Sequence, residues 1–223
     1  MYMRKALKLG LGIILLFLCA CGQNNQKISN KDTVSDIPNS VMKLSSQNQV
    51  VETIMARRSI RKSKPIAIEQ DKLSRALECG INAPNGMYKQ SWEIRVVNNS
   101  KFMNEIEKGY TAFQKKEGRK RIMHPSFGAP CLVFIAHDTT YDLSQVDCGL
   151  LGENIILSAQ SMGLGTCCLG GIVRYLNSSD ASNLLKQLEI PDSYKLLYAI
   201  AIGYPDESPA SKPRDTNKIK FID

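Results

Sequence analysis

The chain has 223 residues, 43% hydrophobic and 22% charged, with a formal net charge of +8 at pH 7. This globular usage excludes disordered, collagen-like and low-complexity chains, and the length suffices for one large or two small domains with a real core. Seven cysteines are too sparse for a disulfide scaffold, and no apolar run reaches the ~20 residues of a membrane-spanning helix.

Arg4, Lys5 and Lys8 open the chain, an apolar run over 9–18 follows, and Cys19-Ala20-Cys21-Gly22 comes next. A basic start, a short apolar stretch and a small residue before a break describe a secretory signal peptide. With a cysteine directly after that small residue, the segment resembles a bacterial lipoprotein signal and its lipobox. The resemblance implies removal of residues 1–20 and acylation of Cys21. It also implies a domain held by lipid to a membrane of the bacterial cell envelope, on its extracytoplasmic side. Cys19 departs from the small or β-branched residue usual at its lipobox position. The alternative is an N-terminal helix of a cytosolic domain, against which stand the abrupt polar break after Cys21 and the lack of helical periodicity. Without the three leading positive charges the excess falls from +8 to +5. No basic helix with interleaved aromatics follows, so nucleic acid is a poor fit. Without Cys19 and a lipidated Cys21, Cys79, Cys131, Cys148, Cys167 and Cys168 remain, an odd set whose spacing fits no zinc pattern. Cys131, Cys167 and Cys168 sit in apolar runs and read as buried small hydrophobes.

Residues 21–48, polar after the cysteine, predict a flexible tether, and residues 49–223 a single domain. Val50, Val51, Ile54 and Met55 share a helical face that ends near Arg57 to Ser59. Leu73, Ala76, Leu77 and Ile81 mark a second helix that stops before Pro84. A strand over 93–97, a helix over 102–113, an exposed charged stretch over 117–123 and an apolar strand over 131–136 follow. The longest helix covers 144–162, with Leu150, Leu151, Ile155, Ile156 and Ala159 as its apolar positions and Gly163 as its cap. Then come a short strand over 166–169, a helix over 180–188 and a strong strand over 194–203. Strands do not alternate regularly with helices, which predicts an α+β fold rather than a doubly wound sheet.

Three segments carry chemistry. Arg57-Arg58-Ser59-x-Arg61 offers three guanidinium forks and a hydroxyl, a set suited to a phosphate dianion, or else a solvated charged surface. Ala83-Pro84-Asn85-Gly86, followed by Gln90-Ser91-Trp92, places amides and the single Trp at a tight turn, or is simply a loop beside a buried Trp. Gly163 to Gly171, rich in glycine, lets backbone N–H groups approach a ligand, and it matches neither the dinucleotide fingerprint nor a P-loop. Lys212-x-Arg214 adds two cations able to converge on one anion.

In this order the segments resemble the nitroreductase family of FMN-dependent oxidoreductases, over roughly residues 49–223. The resemblance implies a mainly antiparallel central sheet flanked by helices. It assigns Arg57, Arg58, Ser59 and Arg61, with Lys212 and Arg214, to the flavin phosphate. Asn85, Gly86 and Gln90 go against the isoalloxazine ring, and Cys168, Leu169 and Gly170 to its N5 and O4 edge. Asn85 stands where Ser is usual, Tyr88 where Asn is common, and Ser91 where Pro is usual. A homodimer with two FMN sites at the interface is also implied. So is NAD(P)H as donor, with a membrane quinol or partner protein as substitutes outside the cytoplasm, and a nitroaromatic, quinone or similar acceptor. Because the flavin does the chemistry, no catalytic triad, no metal and no role for His124 or His137 is expected. Asp142, Asp147 and Glu153 read as solvated or packed carboxylates rather than acid–base groups, and Cys167-Cys168 as strand packing rather than a redox pair. The competing function is a non-enzymatic, membrane-anchored lipoprotein that binds a flavin or other ligand on the same scaffold.

Overall fold

The computed structural model describes residues 48–222; the expected signal segment, Cys21 and the tether up to residue 47 lie outside them. Helix α1 (Gln49–Ala56) starts at Asn48, whose side chain accepts hydrogen bonds from the Val50 and Val51 N–H groups. Helix α2 (Gln70–Ile81) leads through the turn at residues 82–91 into strand β1 (Trp92–Val97). Asn99 caps α3 (Ser100–Lys116) by accepting from the Phe102 N–H, and β2 (Cys131–Asp138) follows. Helix α4 (Ser144–Ser161) ends as Gly163 turns into left-handed backbone at φ +79°. Strand β3 (Gly165–Leu169), helices α5 (Gly171–Leu176) and α6 (Ser182–Gln187), and β4 (Tyr194–Gly203) complete the order.

The four strands form one antiparallel sheet in the order β1-β2-β4-β3. Its two central strands are apolar on both faces and so divide the core. Leu132, Phe134 and Ala136 of β2 face the side of α3 and α5, whereas Cys131, Val133 and Ile135 face α2 and α4. In β4, Ala199 and Ala201 lie on the first side with Leu196, an odd-to-even change of phase. A register shift between Ile135 and Ala136 of the facing strand accounts for it, as one extra residue turns the side chains over. Gly80 and Gly152 let elements close tightly: a Cβ at Gly80 would sit 2.5 Å from Ile155 Cγ1, and one at Gly152 would overlap the Tyr198 hydroxyl.

The α+β class and the mainly antiparallel sheet are as the sequence predicts. Three details differ. The helix expected over 180–188 is a 3-10 turn at Ser179–Ala181 followed by α6, and α5 was not expected at all. The helical face formed by Val50, Val51, Ile54 and Met55 is present as expected, and among the described residues it is exposed. Cys131 and Cys167 are buried as expected, but Cys168 is exposed. It lies on the edge strand, and adjacent strand residues point to opposite faces, so Cys167 enters the core while Cys168 turns out of it. Among the described residues no helix is long and apolar enough to cross a membrane, and no group of three His, Cys, Asp or Glu is placed to hold a metal.

Candidate active site

The segment after α1 runs beside the β3 edge of the sheet. Ser59 bridges Thr166 in parallel, and the Ile60 N–H donates to the Thr166 carbonyl at 2.8 Å. Ile60 is buried against Gly165, where a Cβ would come within 2.7 Å of Ile60 Cγ1. This packing fixes Arg57, Arg58 and Arg61 at the sheet edge. There, with Ser59, Pro209, Ala210, Lys212 and Arg214, they line one cavity of about 120 Å³. Five cations and no acid line it. Among the described residues none of the five forms an ion pair. Arg58 Nη1 donates to the Met55 and Arg57 carbonyls, Arg61 Nη1 to the Ser59 carbonyl and Arg214 Nη1 to the Lys212 carbonyl. These contacts orient the side chains without neutralising them. Glu207 comes nearest to doing so, accepting the Arg61 backbone N–H.

Arg61 also borders a second cavity, of about 270 Å³, lined by Cys167, Cys168, Leu169, Gly170 and Gly171 on one side and by Arg119, Arg121 and His124 on another. A Cβ at Gly170 would meet nothing within 4 Å, so the space beside the end of β3 is open. Burial raises the Cys167 thiol, and the Cys168 thiol, though its residue is exposed, is also raised by the solvent its neighbours displace; a raised thiol is a weaker nucleophile. With their side chains on opposite faces, the geometry disfavours a redox pair. The second cavity was not foreseen. Its arginines come from the charged stretch after α3, which by composition alone reads as solvated surface.

Asn85, Gly86 and Gln90 line neither cavity. They precede β1, at the opposite edge of the sheet from β3, and three strand spacings alone separate the two groups by roughly 15 Å across the sheet. Their turn is held in unusual backbone: Met87, Tyr88 and Gln90 have φ of +53°, +57° and +47°, at ~1–2 kcal/mol each for residues bearing a Cβ. The Asn85 side chain accepts the Gln90 N–H at 2.9 Å. Asp147, on the first turns of α4 and 2% exposed, accepts the Gly86 N–H at 2.9 Å and the Ser91 hydroxyl at 2.7 Å. Glycine is required at 86, because a Cβ would overlap the Tyr141 hydroxyl, itself buried with no hydrogen-bond partner. Asp142 and Glu153 are exposed, so Asp147 alone of the three carboxylates is built into the structure. His124 Nδ1 accepts from the Ser126 and Gly128 N–H groups, and His137 Nδ1 lies 3.1 Å from Ser144 Oγ, so both rings organise loops.

The model of the nitroreductase family matches residues 54–204 of this sequence. The chain belongs to the nitroreductase family. It is 27% identical over 180 residues to an NADPH-flavin oxidoreductase of Vibrio harveyi, covering 75% of this chain and 70% of the relative. An FMN reductase (NADPH) of Bacillus subtilis (strain 168) is 24% identical over 179 residues, with the same coverage. Among solved structures, a nitroreductase with bound FMN from Bacteroides fragilis NCTC 9343 superposes with a TM-score of 0.72 at 27% identity, over 79% of this chain and 100% of that one. A nitroreductase with bound FMN from Desulfitobacterium hafniense DCB-2 gives the same TM-score and identity, over 79% and 99%. The antiparallel sheet with flanking helices is thus the nitroreductase-like fold.

Proposed function

We propose that this nitroreductase-family protein is an FMN-dependent oxidoreductase, moving electrons from a reduced donor such as NAD(P)H to a nitroaromatic, quinone or similar small acceptor. The observation that carries this reading is the cavity of Ser59 and five cations, none in an ion pair among the described residues, that shares Arg61 with the open space beside Cys168, Leu169 and Gly170. The residues present fit the cofactor. A dianionic phosphate meets fork donors where no carboxylate lines the wall, and a flat ring meets a glycine whose missing side chain leaves room.

When bound, FMN supplies hydride acceptance at its N5 and electron delivery to the acceptor. Arg57, Arg58, Ser59, Arg61, Lys212 and Arg214 would hold the phosphate. The backbone of residues 168–170, which lines the adjoining cavity, would face the N5 and O4 edge. No side chain of this chain needs to move a proton for the hydride step.

Asn85, Gly86 and Gln90 belong to a site only when a second copy brings them to the ring, and this argues for a homodimer. The apolar face of α1, Val146 and Leu150 of α4, and Phe221 and Ile222 near the C-terminus, all exposed among the described residues, support it, since apolar surface of this kind favours burial between chains. The proposal further holds the domain outside the cytoplasm by a lipid on Cys21, for which the sequence of residues 1–22 is the support. Labelling with a fatty acid that disappears in Cys21→Ala tests that part.

The enzymatic part is tested by following NADPH and NADH oxidation with nitrofurazone and with a benzoquinone, alongside a dithionite-reduced sample that bypasses the donor. Acceptor-dependent reoxidation of the reduced sample supports the oxidoreductase reading even if neither nicotinamide serves as donor. FMN retained without any transfer to acceptor supports a ligand-binding lipoprotein instead.

A further inference from the structure

We propose that Asp147 is a positioning residue for the flavin: its carboxylate clamps the turn bearing Asn85, Gly86 and Gln90 in the left-handed backbone that presents it to the ring. This inference rests on the flavin reading above. It starts from a buried acid that no step of that reading uses. Asp147 is 2% exposed and has no cationic partner among the described residues. A buried carboxylate without a counter-ion is costly, and such groups persist where their hydrogen bonds set geometry.

The geometry shows what Asp147 sets. Its Oδ1 accepts the Gly86 N–H and its Oδ2 the Ser91 hydroxyl, so one side chain grips both ends of the turn. Between those ends lie Met87, Tyr88 and Gln90, three of the five non-glycine residues with positive φ among the described residues. Backbone of this kind holds only where its surroundings fix it. The Ser91 end is anchored again, its carbonyl accepting the Asp138 N–H at the end of β2. The Gly86 end rests on Tyr141, whose ring also lies under the Lys89 ammonium at 4.3 Å. Asn85 closes the turn onto the Gln90 N–H. Both Asp147 partners are donors, and a carboxylate supplies two acceptor oxygens for them. An asparagine keeps one acceptor for Gly86 and can meet Ser91 only if that hydroxyl reverses its role.

A structural acid and a positioning acid differ in what their loss does to the bound flavin. The test compares wild type, Asp147→Ala, Asp147→Asn and Ser91→Ala as FMN-loaded holoenzymes. The readouts are visible circular dichroism of the flavin, kcat per bound flavin, KM for NADPH, and Tm as control; a variant too unstable to load is replaced by Ser91→Ala, which keeps the carboxylate. The expected result is a changed flavin dichroism in Asp147→Ala and kcat per bound flavin lower by about tenfold to a hundredfold, the scale of a misplaced reacting group. KM should move far less, Ser91→Ala should show a smaller effect of the same sign, and Asp147→Asn should recover most of the rate. A lowered Tm with unchanged dichroism and unchanged kcat per bound flavin in both Asp147→Ala and Ser91→Ala overturns the positioning role while leaving the flavin reading intact. Wild-type protein that takes up no FMN overturns both.

Discussion

Arg57→Ala isolates the phosphate-binding claim. The Arg57 side chain lines the cation cavity, yet its guanidinium makes no hydrogen bond to the rest of the chain among the described residues, unlike Arg58, which donates to two carbonyls at the end of α1. Truncating Arg57 therefore removes a charge-assisted donor to the ligand and little else. A hydrogen bond between charged groups is worth ~1.5–3 kcal/mol, so the Kd for FMN should rise by roughly tenfold to 150-fold. Stability should change by no more than ~0.5 kcal/mol, the usual range for a surface substitution. The assay is titration of flavin-free protein, followed by quenching of flavin fluorescence, with riboflavin in parallel. Riboflavin has the ring and lacks the phosphate, so its weaker affinity should be the same for wild type and variant. Equal losses for FMN and riboflavin, or no loss for either, would refute the assignment of this cavity to the phosphate.

Gly165→Ala should push Ile60 off the sheet edge and cost ~1–3 kcal/mol in urea unfolding, as overpacking does. It should also weaken FMN binding, and Ile60→Ala in the same chain should restore part of both; loss without any recovery would mean the Ile60 contact is not what aligns the arginines. Cys168 should be alkylated slowly by iodoacetamide near neutral pH and be protected by FMN, read by peptide mass, whereas half-buried Cys79 should react alike with and without the cofactor. Burial pushes the Cys131 and Cys148 thiols up to about 12. Because the folded value lies above the unfolded one, their contribution is complete below about pH 9 and is lost as pH rises toward 12. Each thiol should then cost ~1.4 kcal/mol per pH unit in that window. Urea midpoints at pH 8 and 10.5 should fall accordingly, and less steeply in Cys131→Ala.

Strand β4 was legible to its ends because ten residues with a single apolar texture are bounded by Ser193 on one side and Tyr204-Pro205 on the other. Helix α4 was legible from its length and from Gly163. Helix α5 was not, since six residues that begin with a glycine and follow another carry too little periodicity to separate from a loop. The shared face of α1 was legible, but periodicity reports which residues share a face, not whether anything covers it. Cys168 read as buried because an apolar run does not reveal that its strand lies at a sheet edge. The cation residues could be grouped from their types alone, and the structure brings all five, with Ser59, to one cavity. Asn85, Gly86 and Gln90 could be grouped as one turn, but only resemblance tied them to the ring, and strand order sends them to the far edge. Asp147 carried a signal, an acid inside an apolar helix, but its two partners come from a turn more than fifty residues earlier, a pairing that no local pattern encodes.

The central claim is that the cation cavity and the adjoining space at β3 hold FMN. The most direct measurement is the visible absorbance of the purified protein, with the flavin released by heat identified by mass and counted against chain. The account predicts flavin bands and close to one FMN per chain, either as isolated or after adding FMN. A colourless protein that takes up no added FMN would contradict it.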